Sequence, residues 1–132
     1  MEKNTILEEL YCDREISLLL KNVGFNGKCH VYYRTDDNSV GAEKYPIDYT
    51  TEFIDDCIVL IPTLQMAQDF LRKKGIQIIP FYEELPKGSY WCRVERHPYT
   101  EYVQEVNVFK TYEASLSDAI KYILLNKDEF QL

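Results

Sequence analysis

Two stretches of this chain show the same succession: apolar residues at helical spacing, a glycine, then a β-rich run. The first is "ISLLLKNVGFNGKCHVYY", residues 16 to 33, and the second is "PTLQMAQDFLRKKGIQIIPFY", residues 62 to 82. In the first, Ile16, Leu19, Leu20 and Val23 recur as the buried stripe of a helix over 13–23. Asp13 is placed to cap its start, and Gly24 can take the left-handed conformation that lets Phe25 fold back onto Leu20. In the second, Thr63 caps a helix over 63–74 whose stripe is Leu64, Ala67, Phe70 and Leu71. Arg72, Lys73 and Lys74 suit the negative end of its dipole. Gly75 stops it, and Ile76 can close on Leu71 by the same device. Each helix hands the chain to a strand, Cys29 to Thr35 and Ile76 to Tyr82. An all-helical or all-β fold cannot accommodate that order.

The rest of the chain decides between the mixed classes. Ser89 to Glu95 alternates, with Tyr90, Cys92 and Val94 on one face and Trp91 and Arg93 on the other, and Tyr102 to Phe109 alternates through Val106 and Val108. The short turns "EELPKGS" and "RHPYTE" join 76–82, 89–95 and 102–109 into an antiparallel meander. Pro80 lacks a backbone donor, which puts its strand at an edge or a bulge. "CIVLIP", from Cys57 to Pro62, is a short apolar strand or a buried extended segment. Thr111 caps a last helix over 112–125 with the stripe Leu116, Ala119, Ile120, Ile123 and Leu124. "NTILEELY" either extends the first helix backward or forms a separate turn. Helices segregated from a run of strands predict an α+β fold of two layers, with about three helices packed on a small, mainly antiparallel sheet: the meander plus one or two further strands. The expected core is Leu19, Leu20, Leu64, Ala67, Leu71, Ile78, Val106, Ile120 and Ile123. A length of 132 residues fits one domain, 1–132.

Charge is distributed unevenly. Residues 36 to 56, "DDNSVGAEKYPIDYTTEFIDD", hold seven carboxylates against Lys44 alone, a net of −6 out of −7 for the whole chain. No periodicity is visible there, so a long, mostly irregular acidic loop is expected, a kind of loop that is often functional. Mutual repulsion within it predicts weak packing. Acidity on this scale opposes direct nucleic-acid binding.

Three segments together resemble a family of short proteins encoded by phages and prophages of Bacteroidetes: "LLKNVGFNGKCHVYY", "PTLQMAQDFLRKKGIQI" and "TYEASLSDAIKYILL". The second is the most specific, although this chain has Phe70 where the family has Trp, and Ser115 where it has Ala. The resemblance implies a phage-type origin and a shared fold, and it implies no activity.

Catalytic and metal motifs do not emerge from the residues. Cys29 and His30 are neighbours on a strand and point to opposite faces, and His97 near Cys92 lacks finger spacing. "DDNSVGAE" starts like a calcium loop at Asp36, Asn38 and Gly41. It then puts Val40 and Ile47 where oxygen ligands are required. The P-loop, G-x-G-x-x-G and G-x-S-x-G patterns are absent. No cofactor is expected. Tyr33, Tyr90 and Trp91 on strands have the shape for base stacking, but the companion glycine- and lysine-rich signature is missing. The expectation is a non-enzymatic protein-interaction module. Its contact residues are the carboxylates Asp36, Asp37, Asp48, Asp55 and Asp56, with the aromatics Tyr45, Tyr49 and Phe53 between them. The alternative is an accessory protein that associates with nucleic acid or mimics DNA toward a basic host or phage protein. "MEKNTILEEL" lacks signal-peptide order and no apolar run reaches membrane-spanning length, which predicts a cytoplasmic protein, in the bacterial host if phage-encoded. The four cysteines are expected to be reduced.

Overall fold

The computed structural model describes residues 10–84, 88–96, 101–103 (backbone only) and 109–132. The fold is α+β, and the described residues form nine elements in the order α1 (Arg14–Asn22), β1 (Cys29–Arg34), β2 (Val40–Ile47), β3 (Ile58–Ile61), α2 (Leu64–Lys73), β4 (Ile76–Glu83), β5 (Ser89–Arg96), β6 (Glu101–Val103) and α3 (Tyr112–Leu125). The "NTILEELY" segment up to residue 9, His97, and Val106 and Val108 lie outside the described residues.

Local chemistry sets the helix ends. The side chains of Asp13, Thr63 and Thr111 accept the amides of Ile16, Met66 and Ala114 at 2.8, 3.1 and 3.1 Å, each satisfying a donor that has no partner in the first turn. At the other end of α1, Gly24 sits at φ 89°. The Phe25 amide then donates to Leu20 O at 3.0 Å and the Gly24 amide to Lys21 O at 3.2 Å, which completes the paired bonds of a Schellman stop. Gly75 repeats the left-handed turn after α2 at φ 90°.

The strands form two three-stranded sheets, β2-β1-β3 and β4-β5-β6, with every pairing antiparallel. The expected meander is therefore present where the residues are described, as β4, β5 and the 101–103 part of the third strand, with a further bridge between Tyr90 and Phe109. The further strands build a sheet of their own. The main core draws on α1, α2, α3 and both sheets, through residues such as Leu20, Leu60, Leu71, Ile78, Val94 and Ile120. Ala67, Leu64 and Ile123 are buried in it as expected, while Leu19 is half-buried at its margin. The β1–β3 part of sheet β2-β1-β3 also buries its second face. Val31 opposes Ile61 and Tyr33 opposes Val59, and Tyr33, Val59 and Ile61 form a smaller cluster with Tyr11. Burial on both faces explains why "CIVLIP" is apolar without alternation.

The alternation of an antiparallel ladder tells which backbone groups face outward at each sheet edge. At β3 these are Ile58 and Leu60, because Thr35 N donates inward to Cys57 O at 2.8 Å. Side chains answer both: Lys21 Nζ donates to Ile58 O at 2.9 Å and Leu60 N donates to Tyr49 Oη at 2.9 Å. At the β4 edge, Gln68 Nε2 donates to Ile78 O at 3.0 Å. Pro80, two residues on, shares that outward parity, so its missing N–H removes nothing from the ladder with β5.

The acidic stretch departs from expectation. The segment 36–56, expected to be mostly irregular loop, contains β2, an eight-residue strand paired with β1. Between the pairs Val31–Ala42 and Cys29–Ile47 the ladder is broken: Glu43 to Pro46 stand opposite His30 alone. His30 Nδ1 lies 2.9 Å from Glu43 O within this bulge. Glycine, proline and the bulge break the period-two pattern that marks a strand in sequence.

Candidate interaction surface

The expected contact residues fall into a hairpin turn, a bulge and a pair of turns. A five-residue loop, Thr35 to Ser39, joins β1 to β2, and Asn38 within it sits at φ 60°. Asp36 and Asp37 occupy its tip. The Arg34 guanidinium grips both oxygens of Asp36, at 3.0 and 2.9 Å, and reaches Asp55 Oδ2 at 3.3 Å. Two turns far apart in sequence are thereby joined at one end of the sheet, with two carboxylates sharing one cation.

The other acidic side chains bond to their own turns. Asp37, Asp48 and Asp55 each accept the amide two residues ahead, from Ser39, Thr50 and Cys57, at 2.9, 2.9 and 2.8 Å. This is the local Asx bond that makes aspartate a turn former. These bonds favour the ionised form. Asp36 is held below the usual carboxylate range chiefly by its bond to Arg34, Asp37 by its bond from Ser39, and Asp48 by its bonds from Thr50. Local hydrogen bonds thus order the turns that repulsion alone would loosen. Asp56 is exposed, and its backbone carbonyl accepts from Lys21 at 3.1 Å.

The three aromatics separate. Tyr45, in the bulge, is 73% exposed, and Phe53 is 51% exposed. Tyr49 does not offer a free contact: its ring packs against the main core under Lys21 Nζ, 5.4 Å from the ring centre, and its hydroxyl holds the β3 edge. Burial pushes its phenol up to about 12. The exposed set is therefore Asp36, Asp37, Tyr45, Phe53, Asp55 and Asp56, with Asp48 half-buried. Sequence reasoning missed Arg34, which clamps two of the turns. Its signal was weak: one arginine at a strand end beside two aspartates.

Groups elsewhere in the molecule are engaged in packing. Tyr33 is buried and its hydroxyl donates to Arg14 O at 3.2 Å. Trp91 stacks on Phe81 with ring centres 4.6 Å apart, and its indole N–H donates to Glu83 Oε1 at 3.0 Å. Burial raises the thiol pKa of Cys12, Cys29 and Cys92, that of Cys29 to about 12, so these sulfurs stay protonated. His30 is exposed on the face opposite the buried Cys29. Among the described residues no three His, Cys, Asp or Glu side chains are grouped to hold a metal, and no helix is long and apolar enough to cross a membrane. A cleft of about 380 Å³ lies between the ends of α1 and α3 and is lined by Leu19, Val23, Leu124, Leu125 and neighbouring polar residues.

No protein-family model, no curated protein and no solved structure matches this chain.

Proposed function

We propose that this chain is a small non-enzymatic interaction module of phage or prophage type, working in the cytoplasm, whose acidic turns bind a basic protein partner. The observation that supports this reading most directly is the Arg34 clamp. It brings the turns carrying Asp36, Asp37, Asp55 and Asp56 together while neutralising only one of their charges. The surface is preorganised and negative, and the same segment exposes the rings of Tyr45 and Phe53, the residue types that anchor protein interfaces. Long-range attraction would steer the partner in, and the rings would supply the apolar contact. DNA mimicry asks for a row of outward carboxylates. Here Asp37, Asp48 and Asp55 turn an oxygen back to their own backbone, which favours the generic acidic face.

The test is a comparison of captured proteins from a bacterial host lysate at low salt. One bait is the natural chain, and the other carries Asp36, Asp37, Asp48, Asp55 and Asp56 all changed to Asn. Asparagine keeps the Oδ1 acceptor of each Asx turn and removes the charge together with one of the oxygens that Arg34 grips, so circular dichroism of the variant bait confirms the fold before capture. Basic proteins captured by the natural chain should be lost from the variant, and lost again when salt reduces the screening length to a few ångströms. Equal capture by both baits would refute the acidic face as the binding surface.

A further inference from the structure

Among the described residues, one sheet edge has no side chain bonded to it. Arg34 N donates to Ser39 O at 2.9 Å, so by alternation Tyr32 and Gly41 bond to each other and Val40 and Ala42 turn their N–H and C=O outward. The same alternation applied to β3 identifies the groups that Lys21 and Tyr49 cap. At β2, among the described residues, no side chain bonds to the outward groups of Val40 and Ala42, and the Val40 side chain is 58% exposed. An uncovered edge with an apolar side chain is a template for another strand.

We propose that the β2 edge pairs with the β2 edge of a second copy of this chain, antiparallel, about a two-fold axis at Gly41. Val40 of each copy then exchanges both backbone bonds with Ala42 of the other, and the two sheets become one of six strands. Three features favour a second copy over a foreign segment. Position 41 falls on the axis as a non-hydrogen-bonded pair, where the two backbones approach most closely, and it carries no side chain. The Tyr32 ring already fills the space above it: an added Cβ would lie 2.4 Å from Tyr32 Cζ. Lys44 is the only basic residue between 36 and 56, and this register directs it toward the acidic 36–39 turn of the other copy. Charge complementarity therefore comes from the chain itself. The acidic face could bind its own partner with or without this pairing, so the two proposals stand apart.

The contact is small, so a dissociation constant on the order of tens of micromolar is expected. Analytical ultracentrifugation from about 5 to 500 µM should show the mass rising from 15.6 kDa toward twice that value. Val40→Lys, which alters an exposed side chain, and Ala42→Pro, which removes an outward donor, should each hold the mass at the monomer value. Lys44→Glu should weaken association at least tenfold at low salt. Hydrogen exchange at Val40 and Ala42 should slow about fivefold between these concentrations in the natural chain, as the monomer fraction falls. A monomer at every concentration overturns the proposal. So does a dimer whose mass survives Val40→Lys or whose Val40 and Ala42 amides exchange at a constant rate. If Ala42→Pro fails to fold by circular dichroism, Val40→Lys and the exchange data decide.

Discussion

Tyr49 holds the backbone of Leu60: the tyrosine hydroxyl accepts the Leu60 amide at 2.9 Å across eleven residues of chain. That amide is the outward donor of β3, and Lys21 binds the carbonyl two residues before it. One aromatic side chain thus closes a sheet edge while filling part of the core.

Tyr49→Phe keeps the ring and removes the acceptor. It should destabilise the protein by about 1–3 kcal/mol, the cost of leaving a buried donor unsatisfied. Urea unfolding at an unchanged m-value measures this, and amide exchange at Leu60 should accelerate more than the global loss requires. A midpoint equal to that of the natural chain would show that water replaces the hydroxyl at no cost.

Gly24 separates backbone strain from crowding. An added Cβ meets nothing within 4 Å there, yet φ is 89°. Gly24→Ala should therefore cost roughly 1–2 kcal/mol through conformation alone. Gly24→Asn should cost less, since asparagine tolerates the left-handed region. Thermal melts of the two variants give the order directly, and an alanine variant as stable as glycine would mean that α1 ends in another way.

Acid should weaken the turns in a defined sense. The carboxyl groups of Asp36, Asp37 and Asp48 have their pKa lowered in the folded chain, first by bonds from Arg34, Ser39 and Thr50 respectively. Unfolded, they titrate near 4. A lowered folded value means that their stabilisation is complete above about pH 4 and is lost as pH falls through the folded values. Asp36→Asn should flatten this acid limb and leave stability near pH 7 to 8 without a new pH dependence. Unfolding curves collected from pH 2 to 8 test it. An unchanged acid limb in the variant would remove Asp36 from the account.

The thiols should react in two classes. Cys57 is partly exposed, whereas Cys12, Cys29 and Cys92 are buried with raised thiol pKa values. Iodoacetamide at pH 8 should label Cys57 first and reach the other three only as fast as the fold opens. Peptide mass spectrometry resolves the order, and early labelling of Cys29 would contradict its burial.

Much of this architecture was legible because it is local. Asp13, Thr63 and Thr111 bond three residues ahead, and Gly24 and Gly75 act within one turn, so a short window of sequence contains both partners. Pro80 was readable as an edge residue for the same reason. β2 was hidden because its pairing comes from β1, across a bulge that breaks alternation at Glu43 to Pro46. The division into two sheets depends on which strands meet in space, and nothing in a strand's own residues states that. In the acidic stretch the residue types were readable as turn formers. Their grouping by Arg34, and the withdrawal of Tyr49 into the β3 edge, depend on contacts made across tens of residues or across a sheet.

The parity of Pro80 limits how this gene can drift in length. A deletion of one codon between Ile76 and Ile79 would rotate every later side chain of β4 to the opposite face and move the proline's missing donor into the ladder with β5. A deletion of two codons would restore both. Descendants of this sequence should therefore differ in β4 by even numbers of residues or by none, while the Glu43–Pro46 bulge, which has no such parity to keep, can absorb odd ones.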